Sequence, residues 1–164
     1  MKKYKELCFD QISEDDIALL TPIMKRAFDE DTRTHTDLDS DGPTGYDDGS
    51  FLRKWIHKPR SISYKILADS KLIGCFVITS KNEDINYLEM LFLDPDTRNN
   101  NYGYIVWSFI ESEFSKTRVW RTSTPGYSKR NQNFYINKCG FQVDRIEKPG
   151  NFYQECYHLK KIMF

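Results

Sequence analysis

LFLDPDTRNNNYGYIVW, residues 91–107, decides how the chain is to be read. A short apolar run stops at Pro95, an arginine follows, and three asparagines come in a row before a stretch with helical spacing. A strand, a polar turn and a helix start thus stand in immediate succession. Free backbone N–H groups at such a joint, helped by the helix dipole, favour an anion in the turn. Arg98 adds a fixed charge suited to phosphate. Gly103 lets the backbone come close to a ligand. Asparagine is the non-glycine residue that best tolerates left-handed dihedrals, so Asn99, Asn100 and Asn101 can turn where glycines would otherwise stand. A pyrophosphate is a sensible guest, and an ordinary polar turn is the plainer alternative.

Outward from this loop the patterning is regular. The helix is predicted from Tyr102 to Phe114, with Ile105, Val106, Phe109 and Ile110 on one side. Upstream, SISYKILA and LIGCFVIT read as a hairpin joined by DSK, and INYLEMLFL as a third strand after KNED. Downstream, RVWRTST is a strand leaving at PG, SKRNQNFYINKCG has helical spacing with a C-terminal glycine, and FQVDRIE and FYQECYHLKKIMF are two closing strands. Near the start, ELCFDQI is strand-like, and Ser13 with Asp16 forms a capping box ahead of IALL. Pro22 fits a helix restart that runs to about Phe28. The acidic segment from Asp29 to Gly49 reads as loop, and Ser50 is placed to cap a short helix, FLRKWIH. The order is β-α-α-β-β-β-α-β-α-β-β, a single mixed α/β domain over residues 1–164.

Bulk properties exclude several classes. Lys plus Arg equals Asp plus Glu at 24 each, so no global charge points to nucleic acid or an anionic membrane. The distribution is uneven: Asp29 to Asp48 holds eight acidic residues against Arg33 alone, whereas Ser115 to the C-terminus holds ten basic against three acidic. Cys8, Cys75, Cys139 and Cys156 show no C-x-x-C pairing and read as buried reduced thiols, with a zinc site or disulfide as the lesser alternative. MKKYKELCFDQ lacks an apolar core of signal length and no run is long enough to span a bilayer, so a cytoplasmic protein is expected.

The segment 85–107 resembles the signature of the GNAT superfamily of N-acetyltransferases. Leu93-Asp94-Pro95 is similar to its V-x-P element, and Arg98 to Gly103 to its (Q/R)-x-x-G-x-(G/A) loop, with Asn101 where the family has its first glycine. NQNFYINKCGF, residues 131–141, resembles the family's N…FY…GF helix, although four residues separate Tyr135 from Gly140 where three are usual. The resemblance implies a GNAT-type α+β fold: a twisted, mostly antiparallel sheet, flanking helices, and a splayed parallel strand pair made here by INYLEMLFL and RVWRTST. It also implies acetyl transfer from acetyl-CoA to an amine, with no metal.

On the same grounds, main-chain groups of Leu91, Phe92 and Leu93 would hold the pantetheine arm. Residues Arg98 to Tyr104, Tyr102 among them, would cradle the pyrophosphate, and Asn131 would reach the cosubstrate from the last helix. An amine of lysine type is protonated at neutral pH, so a base is needed, and Glu89 lies where several family members place one. Strand alternation sets Glu89 on the face of Leu91 and Leu93. A surface glutamate without a role is the alternative. Tyr135 occupies the position of the family's general-acid tyrosine, with core packing as its other reading, and Tyr127 and Phe134 are rivals for the space. No cysteine shows the setting of an acyl-enzyme nucleophile, so attack is direct.

DLDSDGPTGYDD begins like a calcium loop, with Asp37, Asp39 and Asp41 alternating, Gly42 sixth and Asp48 twelfth. Pro43, Thr44 and the lack of a partner hand speak against it. The segment is better taken as the variable loop bordering the acceptor site, whose carboxylates favour a cationic small-molecule or peptide amine, or else as a solvated loop. The runner-up function is a catalytically degenerate module that binds CoA or acetyl-CoA as a sensor. Strand edges near the C-terminus suit pairing in a homodimer, and nothing in the sequence demands it.

Overall fold

The computed structural model describes residues 1–164. Eight strands form one sheet in the order β1-β2-β3-β4-β5-β6-β8-β7. They are β1 (Lys2–Tyr4), β2 (Leu7–Gln11), β3 (Ser61–Ala68), β4 (Lys71–Ser80), β5 (Ile85–Leu93), β6 (Val119–Pro125), β7 (Gln142–Glu147) and β8 (Cys156–Ile162). Every neighbouring pair is antiparallel except β5 with β6. Helix α3 (Tyr102–Glu113) makes the crossover between those two strands, and α4 (Lys129–Asn133) follows β6. Short β1, which pairs with β2, extends the expected strand count by one.

Two apolar layers sandwich the sheet. On one side α3 sets Ile105, Val106, Trp107, Phe109 and Ile110 against Phe9, Phe76, Ile78 and Leu88. On the other, α1 (Glu14–His35) and α2 (Ser50–Ile56) bury Ile17, Leu20, Met24 and Leu52 against Cys75, Val77, Met90 and Phe92. The capping box is present: the Asp16 carboxylate accepts from the Ser13 N–H at 2.8 Å. At α2 the expectation fails by one position, since Gly49 caps in a left-handed conformation with φ 86° and Ser50 is the first helical residue.

The larger correction concerns the acidic segment. Helix α1 does not restart at Pro22 or stop near Phe28; it runs unbroken to His35. An interior proline costs about 3 kcal/mol, and burial of Leu20, Ile23 and Met24 around it offsets that cost. The acidic residues remain helical because each finds a partner. Asp29 takes Lys25 and the Tyr46 hydroxyl, each at 2.5 Å. Glu30 takes two arginines, and Asp31 accepts from the Ser128 hydroxyl at 2.9 Å.

The parallel ladder is short. Ile85, Asn86 and Tyr87 pair with Val119, Trp120 and Arg121, and the pairing then ends. The Thr122 hydroxyl donates to the Leu88 carbonyl at 2.9 Å as the last link. Beyond it β5 stays on β4 as far as Leu93 and β6 stays on β8 as far as Pro125, so the two strands part and leave a wedge. On β5 the register skips Glu89, since Leu88 faces Ile78 while Met90 faces Val77. This bulge breaks the strict alternation read from the sequence: Leu88 joins the α3 layer and Met90, two residues on, the α1 layer. No helix is long and apolar enough to cross a membrane.

Candidate active site

The wedge opens into a cleft of about 940 Å³ that runs from the start of α3 to the β7–β8 loop, a volume in the range of ligand sites. Its walls are Glu89 to Leu93 of β5, with Asp94 just after it, and Thr122 to Pro125 of β6. At one end Pro95–Thr97 forms a 3-10 turn, closed by Asp94, whose carboxylate accepts from the Asp96 N–H at 3.0 Å. Asn99 and Asn101 then take left-handed dihedrals, φ 68° and 60°. Asn101 caps α3 in that conformation, as a glycine would. The first helical hydrogen bond is Ile105 N–H to the Asn101 carbonyl, and no side chain caps the turn, so the amides of Tyr102, Gly103 and Tyr104 stand free at the cleft. That is an anion cradle by geometry. Gly103 has a further reason to be glycine: a Cβ there would lie 3.1 Å from the Phe134 ring.

Of the residues expected to hold the cosubstrate, Leu91, Phe92, Leu93, Arg98, Asn99, Asn101, Tyr102, Gly103, Tyr104 and Asn131 all line this cleft. Asn100 does not; its side chain donates to the carbonyls of Thr97 at 2.9 Å and Arg98 at 3.2 Å and so braces the turn from behind. The Phe92 side chain is buried in the α1 layer, which leaves only its main chain for a ligand. Arg98 does not stand free. It forks onto Glu30, with Nη1 to Oε1 at 2.7 Å, and Arg130 meets the same carboxylate at 2.9 Å. Burial works to raise the Glu30 carboxyl, yet the hydrogen bonds from Arg98 and Arg130 outweigh it and hold the group at about 2.

Deeper in the wedge stands Tyr135. The extra residue between it and Gly140 is absorbed as one π turn, Phe134–Lys138, closed by Cys139 N–H to the Phe134 carbonyl at 3.0 Å. A π turn takes up one more residue than an α turn, so the insertion leaves the helix's ends in place. Tyr135 is 8 % exposed and edges onto Phe134 and Phe141. Burial pushes its phenol well above the usual range, eased by the Thr122 hydroxyl, so it carries its proton at neutral pH. Glu89, at the bulge, accepts a 2.6 Å hydrogen bond from the Thr79 hydroxyl. Thr79 shares the face of Val77 and Cys75, so Glu89 turns toward the α1 layer and away from Leu91 and Leu93, against the alternation expected.

Several cleft residues escaped the sequence reading. Glu30 and Asp31 lay in a segment taken for loop, and Arg130 adjoins Asn131 with no motif to mark it. Glu155 lines the far end of the cleft, where Tyr127, the expected rival of Tyr135, also stands, and Gln132 fastens the β6 exit by donating to the carbonyls of Pro125 and Gly126. Asp41 also lines the cleft, and Asp37, Asp39, Asp41 and Asp48 form no group of converging ligand atoms. Asp48 instead accepts from the Ser50 N–H and hydroxyl at the start of α2.

Residues 24–141 match the model of the acetyltransferase (GNAT) family. YrkN of Bacillus subtilis (strain 168), itself uncharacterized, is 34 % identical over 104 residues, which cover 63 % of this chain and 55 % of that protein. The chain thus spans about half the length of this relative. Among solved structures, the PaiA N-acetyltransferase of Thermoplasma acidophilum, in complex with coenzyme A, superposes with a TM-score of 0.74 at 16 % identity, over 96 % of this chain and 99 % of that one. The spermidine N-acetyltransferase of Vibrio cholerae, in complex with CoA and spermine, gives 0.69 at 11 % identity over 96 % and 95 %. At such identities the likeness is one of fold.

Proposed function

The chain belongs to the acetyltransferase (GNAT) family, and from that premise we propose that it moves the acetyl group of acetyl-CoA onto a primary amine of a cationic small molecule or peptide, by direct attack. The observation that carries the reading is the wedge between β5 and β6, with a free helix start at one end and a protonated buried phenol inside. The residues present fit the cosubstrate. Free amides of Tyr102, Gly103 and Tyr104 suit its pyrophosphate, Arg98 and Arg130 supply the charge, and the open edge of Leu91 to Leu93 suits an extended arm.

Acetyl-CoA supplies a thioester, whose acyl carbon is electrophilic and whose sulfur is the leaving group. Glu89 takes a proton from the acceptor ammonium, directly or through water, and so frees the lone pair that forms the C–N bond. A main-chain amide on the open edge of β5 faces the negative charge that develops on the acyl oxygen. As the C–S bond breaks, Tyr135 gives its phenolic proton to the sulfur. The acylated nitrogen sheds its extra proton, the phenol is restored, and one proton passes to solvent overall. Asp31, Asp41, Glu89 and Glu155 all line the cleft, and their carboxylates support a cationic acceptor. The polyamine acceptor of the Vibrio cholerae enzyme belongs to that class.

A second reading, a CoA-binding module without turnover, is favoured by one observation: both cleft arginines are already engaged by Glu30. Thiol release from acetyl-CoA, followed over a panel of polyamines, aminoglycosides, amino acids and peptides, separates the two. Turnover on one cationic class is the expected result. Calorimetric CoA binding without turnover on any acceptor would favour the module, and absence of CoA binding would remove both.

A further inference from the structure

The open end of the β7–β8 hairpin brings together three side chains that the acetyl transfer does not use. Glu147 and Cys156 are register partners, and His158 lies two residues along β8 on the same face. A carboxylate oxygen, Sγ and a ring nitrogen of this trio all lie within 4.8 Å of one another. We propose that Glu147, Cys156 and His158 form a site for a thiolate-tolerant divalent metal ion of the zinc type, set at the rim of the cleft.

The surroundings leave the ring nitrogen and one carboxylate oxygen free, while the Cys156 thiol meets the Ser123 hydroxyl and the Thr124 main chain. His158 Nε2 is buried and has no hydrogen-bond partner. Glu147 Oε2, at 3.6 Å, is too far to serve as one. Arg145 approaches the other Glu147 oxygen, Oε1, at 4.0 Å, so the oxygen that faces His158 is not taken. The neighbouring carboxylate, Asp144, is occupied by Arg121 at 2.9 Å and Lys160 at 3.1 Å. An unpartnered buried nitrogen is costly, and a cation placed between it, the thiol and the carboxylate would satisfy it.

The donor set fits the ion. Zinc takes Cys sulfur at about 2.3 Å and His nitrogen at about 2.0 Å, so tetrahedral ligands lie about 3.5 Å apart, and side-chain rotation of roughly 1 Å would close the trio. Three protein ligands leave a fourth position for water. A Cys–His–Glu nucleophile is the competing use of the same residues. A nucleophile's base needs an orienting partner within hydrogen-bond reach, and Glu147 Oε2 stands 3.6 Å from the His158 ring nitrogen. Position gives the ion a task. Glu147 and Cys156 bracket the loop of residues 148–155, whose Tyr153, Gln154 and Glu155 line the cleft together with Cys156. An ion held across its base would fix that loop over the acceptor end.

Cobalt(II) titration of the reduced protein tests the site, because a thiolate-to-cobalt charge-transfer band reports sulfur ligation whether or not the protein turns over. The expected result is a band saturating at one equivalent and displaced by zinc(II). It should be lost in Cys156→Ser and kept in Cys8→Ser, the other partly exposed thiol. His158→Ala and Glu147→Gln should each weaken cobalt binding by at least roughly tenfold, since even outer-sphere partners of a metal are worth that much. Circular dichroism of each variant checks that the fold persists. No band, a band that survives Cys156→Ser, or an affinity unmoved in both His158→Ala and Glu147→Gln overturns the proposal.

Discussion

Arg98, in the turn before α3, forks onto Glu30 of α1, sixty-eight residues away in sequence, with Nη1 to Oε1 at 2.7 Å. Arg130 of α4 reaches the same carboxylate at 2.9 Å. A carboxylate thus sits on the planar donor forks that a phosphate would use. A pyrophosphate entering the cradle has to compete with it. Glu30→Gln keeps the shape and removes the charge, so CoA should bind roughly tenfold tighter, the worth of about 1.4 kcal/mol. Calorimetry measures it directly. Weaker binding in the variant would show that Glu30 positions the two guanidiniums instead of competing for them.

The same carboxylate makes stability depend on pH. Its ordinary value is 4.5, and it is held at about 2 in the folded chain. A depressed carboxyl stabilises the fold at pH values above its unfolded pKa, and this contribution fades as pH falls from about 4.5 toward 2. The Glu30 side chain is 22 % exposed, so the loss is discounted to about 1–2 kcal/mol between about pH 5 and pH 3. Urea denaturation at the two pH values should show this drop in the wild type beyond whatever Glu30→Gln shows. Equal drops in both proteins would place the acid sensitivity elsewhere.

Asn101 caps α3 with φ 60° and ψ 22°. An alanine held there would bear the left-handed penalty of about 1 kcal/mol, while glycine would not. Asn101→Ala should therefore lower the unfolding free energy by about 1 kcal/mol and Asn101→Gly should stay within about 0.5 kcal/mol of wild type, since its freer unfolded chain offsets the relief. Urea curves of the three proteins decide it, and equal losses in both variants would mean that the side chain matters more than the backbone angle.

This cap shows why so much of the fold was legible. Strand, proline, arginine, asparagine turn and helix are local signals, each set by residues within a few positions, and the joint from Leu91 to Tyr102 follows them. What failed depends on distant partners. Asp29, Glu30 and Asp31 look like loop by composition, but Tyr46, Arg98, Arg130 and Ser128 neutralise or bind them, so α1 continues. The Glu89 bulge leaves no mark in an alternating sequence, because skipping one register pair changes the face and not the pattern. The irregular spacing after Tyr135 was visible, yet only the π turn explains why it does no damage.

Glu89 accepts from the Thr79 hydroxyl at 2.6 Å, and a glutamine can keep that bond through its amide carbonyl. Glu89→Gln should then fold with little change in melting temperature while losing the base. A positioned base contributes about 10²–10⁴-fold, so kcat should fall by at least about a hundredfold at neutral pH, with CoA affinity unchanged. A fall of less than about threefold, well below that range, would return Glu89 to a purely structural bond with Thr79.

Tyr135 and Tyr127 both border the cleft, and their surroundings separate their roles. Tyr135 lies within the wedge, at Thr122, where the two strands part. Tyr127 sits beyond the β6 exit against Phe152, ring centres 6.1 Å apart. A phenol that protonates the leaving sulfur must be the one inside the wedge. Tyr135→Phe should lower kcat by about a hundredfold, the lower bound for a positioned acid, with the KM for acetyl-CoA little changed. Tyr127→Phe should leave kcat within about threefold, because a residue outside proton-transfer reach gives no such factor. Steady-state thiol release on both variants makes the comparison. A thiol leaving group that needs no acid would leave Tyr135→Phe active, and a large loss in Tyr127→Phe alone would move the acid to the far end of the cleft.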